Sequence, residues 1–194
     1  MGGNYSIEKA YQKYDGIFLY ANDSVLDFYP KFGFESACEY QFTCKVSQKA
    51  EYTARPVSLI TAKERAEFLQ NKNKCKSMNK TELFNDDLLM FYLTSVMSEC
   101  VYYLDDKEAY IIAEKENNRL ILHEIFYKKE IELEDVYHAF GEEVEEVIFT
   151  FTPKIQEGLV CSAFKAEDST LFVLGNRLKD DLRQILRFPE LSHA

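Results

Sequence analysis

Three histidines, five cysteines and one aromatic-rich stretch are where this chain of 194 residues has side chains suited to chemistry. His123 is followed by Glu124 in a run of strand character. Neighbours on a strand face opposite sides of a sheet, so only one of the two can serve a given cleft as a general base. The pair lacks the second histidine of an H-E-x-x-H zinc site, and a lone histidine on a strand is more often hydrogen-bonded structure than catalyst. His138 falls on an expected helix and His193 in the tail. The cysteines, at 38, 44, 75, 100 and 161, are odd in number and widely spaced, with no C-x-x-C pair and no histidine at zinc-ligand spacing. They read as buried or free thiols of a reducing cytoplasm, and no metal is expected. The sequence contains no Ser-His-Asp arrangement, Walker loop or dinucleotide fingerprint.

The aromatic-rich stretch is IFLYANDSVLDFYPKFGF, Ile17 to Phe34. Ile17 to Tyr20 is a short apolar run of strand type. Asn22, Asp23 and Ser24 are helix-capping residues, and Val25, Leu26, Phe28, Tyr29 and Phe32 recur at helical spacing up to Gly33. A strand, a capped helix and a glycine stop are expected in eighteen residues, although Pro30 removes a helix donor and disfavours helical geometry at Tyr29.

This pattern resembles the second half of the GNAT fold, that of the acetyl-CoA-dependent N-acetyltransferases, in which a strand leads into a helix closing on Y-x-K-x-G-F, here Tyr29, Lys31, Gly33 and Phe34. The resemblance covers about the first 45 residues. It implies that Tyr29 protonates the departing coenzyme thiolate, that Asn22 contacts the pantetheine arm and that Phe28 forms the apolar wall beside it. It implies acetyl-CoA as cofactor and a small-molecule or peptide amine as acceptor. A phenol suits the donor role because its ordinary pKa, about 10, lies above that of a thiol at about 8.5. Tyr29 reads equally as a packed core aromatic.

The elements that must position these residues follow in order. Tyr5 to Tyr14 has the spacing of a short amphipathic helix, and Ala37 to Val46 alternates as a half-buried strand. Ser47 to Arg55 is a polar linker, so residues 1–50 and 51–194 are expected as two domains. The second domain should contain a short strand at Val57 to Ile60, a Thr61-capped helix over Ala62 to Gln70, a solvated loop over Asn71 to Lys80 and helix within Thr81 to Cys100. Strands are expected at Cys100 to Leu104, Ala109 to Glu114 and Arg119 to Tyr127, with a turn at Glu116-Asn117-Asn118 that tolerates positive φ. A helix over Glu132 to Phe140 precedes a strand over Val144 to Thr152. A final strand pair is expected at Leu159 to Phe164 and Thr170 to Leu174, and a tail helix over Leu178 to Leu186. The whole is a mixed α/β (α+β) class, with a mostly antiparallel twisted sheet flanked by helices.

Residues 51–194 therefore resemble a second, diverged GNAT-like domain, in tandem with the trailing half of a first. The family's glycine-rich pyrophosphate turn is missing. Lys128-Lys129-Glu130 stands in its place and reads better as a solvated charged loop than as a phosphate site. The function expected from the resemblance is acetyl transfer from acetyl-CoA to a primary amine, impaired by the missing turn. The alternative is a non-catalytic binding or assembly protein. A sheet edge left bare by the missing first half would pair with a second copy as a homodimer.

Composition narrows the partners. Lys and Arg number 23 against 33 Asp and Glu, a net charge of −10, which argues against nucleic acid because phosphate contacts require concentrated cations. No apolar run approaches the 18 residues needed to span a bilayer, so no membrane partner is expected. The 13 Tyr and 15 Phe suit strands that pack one face and keep hydroxyls near water.

Overall fold

The structure, a computed structural model, describes residues 16–46, 53–82, 84–182 and 186–192. The expected helix over Tyr5 to Tyr14, and residues 47–52 of the expected linker, lie outside them. The chain divides into two units. The first joins the described residues up to Tyr40 with Ser162–Arg187, and the second contains Gln41–Cys161 and Phe188–Ser192.

In the first unit, strand β1 (Ile17–Asn22) pairs antiparallel with β11 (Ser169–Leu174), with Ile17 opposite Leu174 and Asn22 opposite Ser169. The two-residue strand β2 (Glu35–Ser36) pairs on the far side of β11, giving the order β1-β11-β2. The expected α-helix between β1 and β2 is instead two 3-10 turns, Asp23–Val25 and Tyr29–Phe32. Their hydrogen bonds close over three residues, from Phe28 N–H to Val25, Lys31 N–H to Phe28 and Gly33 N–H to Pro30. The reason is Pro30, which has no N–H to continue an α-helix and crowds Tyr29 out of helical geometry. Gly33 ends the segment in the left-handed region at φ 84°. Helix α4 (Asn176–Leu182) packs against β11, and a Cβ on Gly16 would lie 2.8 Å from the backbone Leu174 O and 2.5 Å from Leu178 Cδ1, so a larger residue there forces a shift.

The second unit contains most of an eight-stranded sheet in the order β10-β3-β9-β8-β7-β6-β4, with β5 also paired to β8; it takes β3 from Gln41 on and β10 up to Cys161. The strands of the sheet are β3 (Glu39–Lys45), β4 (Arg55–Pro56), β5 (Lys76–Ser77), β6 (Val101–Leu104), β7 (Ala109–Glu116), β8 (Arg119–Tyr127), β9 (Glu146–Phe149) and β10 (Val160–Phe164). Helices α1 (Ala62–Lys72), α2 (Asp86–Thr94) and α3 (Leu133–His138) flank it. The fold class is therefore the mixed, mostly antiparallel one expected. From β4 to β9 the order is the expected strand, two helices, three strands, helix and strand, with β5 added. Thr61 opens α1 with a full capping box to Glu64, and Asn117 turns the β7–β8 hairpin at φ 56°.

Three expectations fail here. The short strand lies at Arg55–Pro56, and Val57 to Ile60 is irregular. The segment Asn71 to Lys80 is not wholly solvated, since Ser77, Met78 and Asn79 are buried. Strands β10 and β11 do not pair with each other, because each joins a different sheet. The core of the second unit lies on both faces of β7 and β8. Ile111, Ala113, Leu120, Leu122 and Ile125 cluster with their sheet neighbours Val147 and Phe149 and with Phe140, while Tyr110, Ile112 and Phe126 cluster with Leu89, Leu93 and Phe68.

Candidate functional site

Strands β8 and β9 run parallel, whereas β9 pairs antiparallel with β3, and β7 with both β6 and β8. Parallel neighbours that part at their carboxyl ends open the kind of crevice in which ligands of α/β proteins sit. The β8–β9 ladder runs from Arg119 opposite Glu146 to Leu122 opposite Phe149, followed by one bond from Thr150 N–H to Leu122 O at 3.0 Å. Beyond it, β8 continues for five residues to Tyr127 while β9 has ended.

That opening is filled by the chain itself. Lys76 and Ser77 pair with Tyr127 and Phe126, and Met78 N–H donates to Ile125 O at 2.9 Å. On the other side, Lys80 N–H donates to Thr152 O at 2.8 Å, Lys154 N–H donates to Met78 O at 2.7 Å, and Asn79 bridges to Pro153. Residues 76–80 thus form a strap bonded to both walls. Met78 is 1% exposed and Asn79 fully buried. Lys154 Nζ, shared between Ser77 O at 3.0 Å and Glu82 Oε1 at 2.7 Å, ties the strap from outside.

Under the strap sits Glu124, itself 3% exposed. Its Oε1 accepts from Ser77 Oγ at 3.0 Å and from Ile125 N–H at 2.9 Å, and Ser77 Oγ accepts in turn from Asn79 N–H. Burial pushes the carboxyl up to about 7, against the lowering effect of those bonds. His123 is the extra residue where the β7–β8 register shifts, between Ile112 opposite Glu124 and Ala113 opposite Leu122, so the alternation expected of this pair is interrupted here. Glu114 Oε1 stands 3.2 Å from the His123 Nε2, while Glu190 Oε2 and Thr150 Oγ1 stand 3.4 and 3.3 Å from its Nδ1. The His123 Nδ1 thus faces the turn at Glu190–Ser192, while the buried Nε2 has no hydrogen-bond partner among the described residues. Neither group of the His123-Glu124 pair faces solvent as a base.

The two lysines after β8 are committed as well. Lys129 Nζ lies 3.1 Å from Glu108 and donates to Asp106 O, and Lys128 Nζ lies 3.7 Å from Glu108. The Lys129 hydrogen bond holds the Glu108 carboxyl below its ordinary value.

In the first unit, Asn22 precedes the first 3-10 turn, whereas Phe28 and Tyr29 open the second. Asn22 Oδ1 accepts from Ser24 N–H at 2.9 Å, which caps the first 3-10 turn. Phe28 is 52% exposed and stacks edge-on to Tyr29 at 5.4 Å. The Tyr29 ring is half-buried against Phe34 and Phe172, at 5.9 and 5.5 Å. Among the described residues no cluster of three or more His, Cys, Asp or Glu side chains is arranged to hold a metal, all five cysteines are free, and no helix is long and apolar enough to cross a membrane.

Sequence reasoning missed the strap. Its only local signal is Met78, an apolar side chain in a polar run, which needs a partner that nothing nearby supplies.

No family model matches the chain, and no curated protein matches it either. Solved structures do resemble it. One is a conserved protein of unknown function from Enterococcus faecalis V583, described as a probable N-acyltransferase, at 13% identity and a TM-score of 0.48, covering 88% of this chain and 48% of that one. A GCN5-related N-acetyltransferase from Kribbella flavida gives 14% and 0.46, covering 88% and 45%. Eis1 from Mycobacterium abscessus gives 7% and 0.45, covering 87% and 49%. The chain spans about half the length of each of these three.

Proposed function

We propose that this chain is a GNAT-type relative whose second unit serves binding or assembly rather than acyl transfer. The observation that carries this reading is the strap of residues 76–80, which occupies the opening between β8 and β9 and satisfies both walls. An extended cofactor arm entering there would have to displace it. The lysines nearby add to the reading, since both stand against Glu108. Titration calorimetry of the full chain with acetyl-CoA tests it. Absence of heat at millimolar cofactor is the expected result, and saturable binding with loss of hydrogen-exchange protection at Met78 and Lys80 overturns it.

A second reading is favoured by the Asn22 to Gly33 segment. In it the first unit transfers the acetyl group of acetyl-CoA to a primary amine, Tyr29 protonates the thiolate, and Asn22 and Phe28 line the pantetheine arm. Saturable cofactor binding that leaves the strap protected supports this reading. Tyr29→Phe should then lower turnover about a hundredfold with KM retained, the usual scale for a general acid. Unchanged turnover removes Tyr29 from the mechanism. Among the described residues strand β1 is an edge of its sheet, and its pairing with a second copy is proposed as a homodimer contact. A monomeric sedimentation profile refutes that contact.

A further inference from the structure

A cavity of about 750 Å³ opens in the second unit between the loop after β4 and the end of α2. This is the size of a small-molecule site. Its floor is apolar, being lined by Leu59, Leu93 and Val101, which are 5%, 0% and 1% exposed. The wall is held in place before any ligand arrives. Val57 N–H donates to Val101 O at 2.8 Å, Ile60 N–H reaches Ser58 Oγ, and Arg65 Nη1 donates to the carbonyls of Leu59 and Ile60 at 3.1 and 2.6 Å. The capping box of Thr61 and Glu64 fixes the next turn. Ile60, on the rim, is 83% exposed, and Val96, two residues from the lining Ser98, is 75% exposed. Large aliphatic side chains left this bare around a cavity mark a place where apolar ligand surface is covered.

Charge decides the head group. Two ionised side chains line the cavity, Arg65 and Glu99. Arg65 is engaged on two backbone carbonyls. The Glu99 carboxylate is exposed and has no ion pair or hydrogen-bond donor among the described residues. The chain as a whole carries −10. We infer that this cavity binds an apolar amine, its aliphatic or aromatic body on Leu59, Leu93 and Val101 and its ammonium on Glu99. The site belongs to the second unit and does not depend on acyl transfer.

The test uses the full chain, no acetyl-CoA, and two probes with the same apolar body, octylammonium and octanoate, in titration calorimetry at low salt. Octylammonium is expected to bind saturably at millimolar concentration or below, and octanoate more weakly. Glu99→Gln, at an exposed position, should weaken octylammonium about threefold to fivefold, because an exposed ion pair is worth at most about 1 kcal/mol. Ser98→Trp, also at an exposed lining position, should abolish binding of both probes while thermal unfolding stays unchanged. Octanoate binding as tightly as octylammonium overturns the assignment of the head group. Octylammonium affinity unchanged in Ser98→Trp, or no saturable octylammonium binding by the unmodified chain, overturns the site.

Discussion

Replacing Glu124 by Gln isolates the cost of keeping a carboxyl under the strap. Burial raises this group from an ordinary 4.5 to about 7 in the folded protein. A carboxyl whose folded pKa is raised holds its proton more tightly in the folded state, so its stabilising contribution is complete below the unfolded value. It is lost as pH rises through the folded one. At about 1.36 kcal/mol per pH unit, the gap amounts to about 3 kcal/mol, lost between pH 4.5 and 8. Glutamine retains the Oε1 acceptor for Ser77 Oγ and Ile125 N–H but does not titrate. Urea unfolding of both proteins at pH 5, 6, 7 and 8 should therefore show the unmodified chain falling behind Glu124→Gln by about 3 kcal/mol as pH rises. Groups such as Glu146, held below their ordinary value by the Lys45 hydrogen bond, work in the opposite sense. They are common to both proteins and cancel in the difference. Hydrogen exchange at the Met78 amide should report the same divergence locally. A stability difference that stays constant across this range refutes the argument that Glu124 is buried as the structure places it.

Other substitutions probe the parts separately. Met78→Ala should cost about 3 kcal/mol by urea unfolding, within the range for a fully buried methionine, and should release exchange protection at the Lys80 amide; a surface-like cost below about 0.5 kcal/mol would detach the strap from the core. Thr61→Ala removes one half of a capping box and should lower stability by about 1 kcal/mol, with no change expected if the cap is frayed. Gly16→Ala should destabilise the first unit by about 1 to 3 kcal/mol, because its methyl would meet the Leu178 side chain and Leu174 O; an unchanged midpoint would place α4 elsewhere.

What the sequence made legible was local. The Thr61 cap and Glu64 lie within one turn, and the β7–β8 hairpin closes through Asn117, so their residues carry the signal alone. The segment from Asn22 to Gly33 shows the limit of periodicity. Apolar residues at helical spacing are also those of consecutive 3-10 turns, and Pro30, a single missing N–H, decides between the two. Of the candidate side chains, the Asn22 cap was legible in the same local way, whereas the packing of Tyr29 on Phe172 was not. Phe172 arrives on β11, which pairs with β1 across about 150 residues, and no local pattern tells a strand which distant partner it will meet.

The strap was illegible for a related reason, and the same reason bears on function. Where β8 and β9 part, Ile125 O and Thr152 O face the gap and require partners if the gap is to be dry. A ligand with an extended amide arm can supply them, and so can a chain segment whose side chains fit. Ser77, Met78 and Asn79 fit because they are small, apolar and amide-bearing in turn, not because they carry any strand periodicity. A ligand entering this crevice must replace backbone bonds worth about 1 kcal/mol each and re-expose Met78 at a cost of about 3 kcal/mol. The penalty is on the order of 5 kcal/mol, three to four powers of ten in apparent affinity. At this penalty a cofactor that would hold an open crevice at micromolar concentration is pushed to millimolar or weaker, and this is the physical ground of the proposal that the second unit binds or assembles.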